Sequence, residues 1–67
     1  MIELTLNGEA GQLAKPMRLD EFLADRGFHG RGFAVALDGD FVPRSRYADV
    51  TLRGGESLEV LSPMQGG

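Results

Sequence analysis

Two segments of the chain alternate apolar and polar residues, which is the pattern of a β-strand that buries one face. They are Ile2–Leu6 and Ser57–Leu61, close to the two ends of the sequence. Asn7-Gly8 follows the first segment, and this pair favours a tight hairpin because both residues accept a positive φ. Residues 9–14, which are weakly apolar, are therefore expected to return antiparallel as a short edge strand.

The spacing of the apolar residues changes to that of a helix beyond Pro16. Leu19, Phe22 and Leu23 stand at positions i, i+3 and i+4, so they form one apolar stripe. Gly27 favours a helix end, because glycine readily adopts the left-handed conformation that closes many helices. No Ser, Thr, Asp or Asn directly precedes Leu19, so the N-cap is poor and the helix is expected to depend on packing against a sheet.

Further short strands are predicted in the second half of the chain. Residues 33–37 are apolar at every position, which predicts a central strand buried on both faces. A tight turn follows, and Phe41-Val42 begins a return strand that Pro43 limits. Residues 44–49 are polar and are predicted to be irregular, and residues 50–52 again have strand character.

Length and charge limit what the chain can do by itself. Its 67 residues fit one domain, and a domain of this size buries only about 60% of the surface of its unfolded chain. That leaves little room for an enclosed active-site cavity, which argues against a self-sufficient enzyme. The net charge of −3 argues against nucleic-acid binding, because nucleic-acid-binding domains usually carry a basic patch.

Cysteine content and hydropathy give further expectations. The chain has no cysteine, so it has neither a disulfide nor a Cys-based metal site. Its longest apolar run is far shorter than the ~18 residues of a membrane span, and its first residues lack the basic and apolar regions of a signal peptide. We therefore expect a cytoplasmic protein without a membrane partner. His29 lies in a glycine-rich loop and is expected to be solvated, with no metal bound.

The predicted order of elements is a hairpin, a helix, short strands and a last strand, which makes an α+β domain of two layers. This order resembles the β-grasp, or ubiquitin-like, fold, in which a mixed sheet of four or five strands packs one face against one main helix. Pro63 ends the last strand. Residues 1–63 are therefore expected to form the domain, and residues 64–67 to follow it as a flexible tail that ends in Gly-Gly.

Five blocks of the sequence point to one family; they are residues 2–9, 19–27, 35–44, 54–61 and 65–67. The most particular feature is Val42-Pro43-Arg44 ahead of a terminal Gly66-Gly67. The blocks are spread from one end of the chain to the other, and they resemble the sulfur carrier family of thiamine biosynthesis, usually called ThiS. Asp38 stands where that family often has Asn, a mild change because both residues tolerate turns.

The resemblance implies a carrier that acts with partner enzymes and is not itself an enzyme. An E1-like adenylating enzyme of the ThiF type would use ATP to adenylate Gly67, and the carrier would bind no cofactor of its own. A sulfur donor, such as a cysteine desulfurase or a sulfurtransferase, would supply the sulfur of a terminal thiocarboxylate. A thiazole synthase of the ThiG type would then receive this sulfur for the thiazole of thiamine.

The last residues suit this chemistry for physical reasons. The α-carboxyl group has a reference pKa of about 3.3–3.7, so Gly67 ends in an unreactive carboxylate that adenylation would activate. Met64, Gln65 and Gly66 are expected to thread a partner's active site, since four extended residues span roughly 13–14 Å and glycine lacks a β-carbon. Because the chain has no cysteine, any sulfur it carries must sit on the terminal carboxyl group.

Phe41, Val42, Leu61 and Arg44 are candidates for a partner-binding patch. By the resemblance, the exposed face of the sheet meets the activating enzyme. The alternative for the three apolar residues is a place in the core. The alternative for Arg44 is a solvated loop with a local salt bridge to an aspartate.

Three other functions remain as alternatives. A carrier for molybdopterin synthesis would use the same chemistry, but that family usually runs longer and has Pro-Pro before the glycines, so the short length and Gln65 favour thiamine. A ubiquitin-like modifier would join Gly67 to a lysine of a target protein. A plain β-grasp binding domain would leave the terminal Gly-Gly unexplained, and the acidic charge argues against RNA as its ligand.

Overall fold

The computed structural model describes residues 1–30 and 32–62 of the chain. No helix in these two ranges is long and apolar enough to cross a membrane. The strands and helices follow one another in this order: β1 Ile2–Leu6, β2 Glu9–Leu13, β3 Met17–Arg18, α1 Leu19–Asp25, β4 Ala34–Leu37, β5 Asp40–Val42, a 3₁₀ helix at Arg44–Asp49, β6 Thr51–Leu52 and β7 Ser57–Leu61.

Five of the strands form one mixed sheet in the order β2-β1-β7-β4-β5. β1 and β7 are parallel, with Leu6 opposite Leu58, and the other neighbouring strands are antiparallel. β3 and β6 pair separately as a two-stranded sheet. The two alternating segments from the ends of the sequence therefore lie side by side within the sheet. The prediction of a mixed sheet with one main helix is confirmed.

The helix α1 packs on one face of the sheet and supplies the centre of the core. Leu19, Phe22 and Leu23 are at most 2% exposed, which confirms the predicted apolar stripe. Each such side chain stabilises the fold by roughly 1.5–3 kcal/mol through burial alone. The remaining core residues come from the strands and the 3₁₀ helix, and they are Leu4, Leu13, Val35, Val42, Tyr47, Leu52, Leu58 and Val60.

Both ends of α1 agree with the sequence. No side chain caps the N-terminus, and the Leu19 N–H instead donates to the Val50 carbonyl oxygen at 2.8 Å. At the other end the Phe28 N–H donates to the Leu23 carbonyl oxygen at 2.8 Å, across Gly27 with φ of 91°. A helix of seven residues has little stability of its own, so packing of its stripe on the sheet holds it in place.

Two expectations about the second half of the chain are wrong. β4 is not buried on both faces: Val35 is buried, but Ala34 and Ala36 on the opposite face are only half-buried, because α1 covers one face and leaves the other open. Residues 44–49 are not irregular but form the 3₁₀ helix. Its Tyr47 is buried and stacks against Phe33, with ring centroids 6.2 Å apart.

Candidate functional site

The predicted reactive end of the chain lies outside the described residues. This applies to Met64, Gln65, Gly66 and Gly67, and to Pro63 at the predicted domain boundary. The structure does describe the strand that leads to them, β7, and the following Ser62. The geometry of this strand and of the sheet face beside it therefore defines the candidate site.

The end of β7 is held from both sides. On the β1 side, the Val60 N–H donates to Oδ1 of Asn7 at 2.8 Å, and Nδ2 of Asn7 donates to the Val60 carbonyl oxygen at 3.3 Å. On the β4 side, Leu61 lies opposite Ala34. One residue later, the Ser62 hydroxyl donates to the carbonyl oxygen of Gly32 at 3.3 Å. The point from which the last residues depart is thus fixed on the sheet.

The face of the sheet opposite α1 carries exposed apolar side chains, which we call the open-face patch. Phe41 and Leu61 are each 69% exposed. Phe41 lies opposite Ala36 and Leu61 lies opposite Ala34, and directly opposed residues point to the same side of a sheet. The patch therefore consists of Ala34, Ala36, Phe41 and Leu61.

Val42 does not belong to this patch, so that part of the predicted site is wrong. It is 8% exposed and lies opposite Val35, within the core beneath α1. The reason is the strand period of two, which places neighbouring residues on opposite faces. Sequence reasoning also missed Ala34 and Ala36. The same period, counted outward from Val35, was the signal that could have found them.

Arg44 lies beside the open-face patch, at the start of the 3₁₀ helix. It lines a shallow groove together with Phe41, Phe33 and Tyr47. Within residues 1–30 and 32–62, no carboxylate lies within 4.0 Å of its guanidinium group, whereas Arg46 pairs with Asp49 at 3.5 Å. The described part of the groove therefore presents aromatic side chains and the positive charge of Arg44.

Tyr47 is the titratable aromatic residue among those that line this groove. Burial raises its pKa above the ordinary value of 10.0, and the positive charge of Arg44 opposes that rise. The phenol therefore stays protonated at neutral pH.

The structure also places the exposed His29 in the loop after α1, and the described ranges contain no cluster of three or more His, Asp or Glu side chains that could hold a metal.

The charged strand residues on the open face are both acidic. Glu59 lies opposite Ala36, and Glu3 follows the same alternation because Thr5 lies opposite Ser57. Both glutamates are exposed. The open face thus combines an apolar patch with negative charge, which favours a partner surface that is apolar and basic.

Comparison with known proteins identifies the family of the chain. Residues 4–67 match the model of the ThiS family. The crystal structure of a thiamine biosynthesis protein (ThiS) from Geobacter metallireducens is similar, with a TM-score of 0.81 and 28% identity, covering 98% of this chain and 100% of that chain. A thiazole synthase of Paramagnetospirillum magneticum is 32% identical over 66 residues.

That thiazole synthase is a much longer protein. The matched residues are 98% of this chain but only 20% of the relative, so the chain spans about a fifth of its length. The ThiS structure, in contrast, matches from end to end and has the same β-grasp architecture. With a family match over residues 4–67, the chain belongs to the ThiS family, the sulfur carriers of thiamine biosynthesis.

Proposed function

We propose that the chain carries sulfur as a thiocarboxylate on Gly67 and delivers it for thiazole formation. An E1-like adenylating enzyme of the ThiF type joins the Gly67 carboxylate to the AMP part of ATP and releases pyrophosphate. A sulfur nucleophile then displaces AMP. If the nucleophile is a cysteine persulfide, an acyl disulfide forms, and a second thiol releases the thiocarboxylate as it forms a disulfide with that cysteine.

The observation that carries this proposal is the position of Ser62. It lies at the end of a strand anchored to β1 and β4, and five more residues follow it in the sequence, ending in Gly66-Gly67. Five extended residues span at most about 17 Å. We infer that residues 1–63 are the recognised body, and that residues 64–67 enter the partner's active site, where glycine permits a close approach of the backbone.

The open-face patch and Arg44 are the proposed docking surface for the adenylating enzyme. Phe41 and Leu61, which are each 69% exposed, lie on this surface. Leu61 immediately precedes Ser62, after which the last five residues of the sequence follow. A partner that covers the patch would therefore be placed next to the point where those residues begin. Burial of a large aromatic side chain is a common source of binding energy in interfaces.

A thiazole synthase of the ThiG type is the proposed acceptor of the sulfur. The thiazole synthase of Paramagnetospirillum magneticum supports this, because a fifth of that polypeptide matches nearly the whole of this chain. The proposed donor is a cysteine desulfurase or sulfurtransferase, since this chain has no thiol of its own. The carrier is consumed and regenerated as a co-substrate, with ATP bound by the partner.

Intact-mass measurement tests the proposal. The chain is incubated with ATP, a ThiF-type enzyme, a cysteine desulfurase, cysteine and a thiol reductant. We expect a mass gain equal to the replacement of one oxygen by sulfur, and no gain in a variant that lacks Gly67. Thiazole synthase supplied with the substrate that accepts the sulfur should restore the original mass. An isopeptide-linked product would instead indicate a protein modifier, and discharge only by a molybdopterin synthase would indicate the sister pathway.

A further inference from the structure

The side-chain amide of Asn7 takes the place of a backbone peptide group in the sheet. In the parallel β1–β7 pair, the Thr5 N–H donates to Glu56 and the Asn7 N–H donates to Leu58, at 3.0 and 2.8 Å. The next bond of this ladder would join the Val60 N–H to the carbonyl oxygen of Asn7. The backbone, however, turns into the hairpin at Asn7, which has φ of 53°.

The carboxamide of Asn7 supplies both missing bonds. Its oxygen accepts the Val60 N–H at 2.8 Å, and its nitrogen donates to the Val60 carbonyl oxygen at 3.3 Å. Val60 is buried, and a single side chain can pair with both its N–H and its carbonyl oxygen only if it accepts one hydrogen bond and donates another. Asn therefore has a role here beyond its preference for the turn.

The other end of β7 has a matching arrangement that needs only an acceptor. Asp38 also begins a turn with a positive φ, of 51°. Its N–H donates to the Ser57 carbonyl oxygen at 2.8 Å, and its Oδ1 accepts the Ser57 N–H at 2.9 Å. Because the backbone of Asp38 already supplies the donor, a carboxylate suffices. Two similar turns thus hold β7 at its start and at its end.

We propose that Asn7 is a positioning residue for the C-terminal carboxyl group, a role that rests on the proposed carrier function. β1 pairs with β7 only as far as Leu58, so beyond that residue the Asn7 carboxamide is the contact from the β1 side. Val60 lies two residues before Ser62, at the base of the segment that must enter the partner. Reaction rates depend steeply on the placement of the reacting group. If the end of β7 moved relative to the sheet, the carboxyl group would be placed less accurately, and adenylation would be slower.

Asn7→Gly and Asp38→Gly form a matched pair of variants. Glycine keeps the positive φ of each turn and removes one side chain that bonds to β7. Adenylation is measured as ATP-dependent pyrophosphate release with a ThiF-type enzyme, at a temperature where circular dichroism shows both variants fully folded. We expect Asn7→Gly to lower kcat by about tenfold with little change in KM, because the docking face is intact. Asp38→Gly should keep both constants.

A wild-type kcat in Asn7→Gly, or an equal loss in Asp38→Gly, would overturn the proposal, since a general loss of strand order would then explain the effect. A second measurement needs no partner. Amide exchange of Val60 should accelerate in Asn7→Gly, and the NMR order parameters of Leu61 and Ser62 should fall in that variant only. If the wild-type chain is not adenylated at all, the carrier function fails, whereas unchanged order parameters refute the positioning role alone.

Discussion

Phe41 lies directly opposite Ala36 across the β4–β5 pair, on the face of the sheet that α1 leaves uncovered. The small side chain of Ala36 leaves the ring of Phe41 accessible, next to Arg44 and the groove formed with Tyr47. Its neighbour in sequence, Val42, points the other way into the core. A proposed docking residue and a core residue are therefore adjacent in one short strand, so substitutions can test docking and folding separately.

Phe41→Thr is expected to weaken docking without unfolding the protein. Threonine keeps a β-branched side chain in the strand, so the free energy of unfolding should change by no more than about 0.5 kcal/mol. The KM of the adenylating enzyme for this carrier should rise roughly tenfold, equivalent to about 1.4 kcal/mol of binding free energy. Pyrophosphate release and urea unfolding measure the two effects.

Val42→Ala is the control for this experiment. It should lower the free energy of unfolding by roughly 1–3 kcal/mol, because it opens a small cavity in the core. At a temperature where it remains folded, its KM should match the wild type. An unchanged KM in Phe41→Thr would remove Phe41 from the docking surface.

Reversal of charge at Glu59 is expected to slow association with the adenylating enzyme. Glu59 lies among the open-face residues, and the proposed partner surface is basic. Glu59→Lys should lower the association rate several-fold at low salt, and the difference should shrink at high salt because the Debye length falls to about 3 Å at 1 M. Stopped-flow or surface-plasmon measurements over a salt series would show this.

Glu9→Lys is the matched comparison for charge reversal. Glu9 is equally a strand residue and exposed, but it lies opposite Leu6 and so points to the other side of the sheet. The substitution Glu9→Lys changes the net charge by the same amount as Glu59→Lys. If both variants slow association equally, the effect arises from total charge and the open face has no special role.

Changes at the last residue should abolish activation and leave folding intact. We expect a chain without Gly67, or with one alanine added after it, to show no pyrophosphate release with the adenylating enzyme. Its urea unfolding curve should match that of the wild type, because these residues follow the proposed body. Full activity of the extended chain, with its mass confirmed at the end of the assay, would contradict the proposed chemistry.

Stability is expected to fall at high pH through Tyr47. Burial raises the folded-state pKa of Tyr47 above 10.0, its ordinary value in the unfolded chain. Above pH ~10 the unfolded chain loses this proton while the folded chain still holds it, so the free energy of unfolding declines as pH rises toward the folded pKa. Well below pH ~10 both states keep the proton, and the contribution of Tyr47 to stability is fully present.

Thermal unfolding from pH 8 to pH 11 measures the effect of Tyr47. Tyr47→Phe keeps the ring that stacks on Phe33 and removes the titrating hydroxyl, so its Tm should decline less over this interval. Equal declines in the two proteins would assign the pH dependence to other groups.

Much of the fold could be predicted because the signals are local. The alternation in β1 and β7, the turn at Asn7-Gly8 and the stripe on α1 each depend on residues close together in the sequence, and each is present in the structure. The chemistry proposed for Gly66-Gly67 also comes from the sequence alone, and it stays a prediction because these residues lie outside the described ranges.

Two of the predictions that failed, those for β4 and Val42, concern which face of a strand is covered. The sequence of β4 is apolar throughout, and nothing within it states that a single helix lies on one side only. Val42 was grouped with Phe41 although the strand period places them on opposite faces, so the period could have separated them. Which of the two faces is covered is a property of the assembled layers, and the local pattern does not state it.

The sequence by itself determined the main strands, the helix α1 and the turn at Asn7-Gly8, because these follow from local periodicity and backbone preference. Tertiary structure decided that β1 and β7 are neighbours, which brings Asn7 to Val60 across 53 positions of the chain. It also decided that Phe41 is exposed and Val42 is buried. Such contacts form only when distant segments pack, since hydrogen bonding and burial act through space and not along the chain.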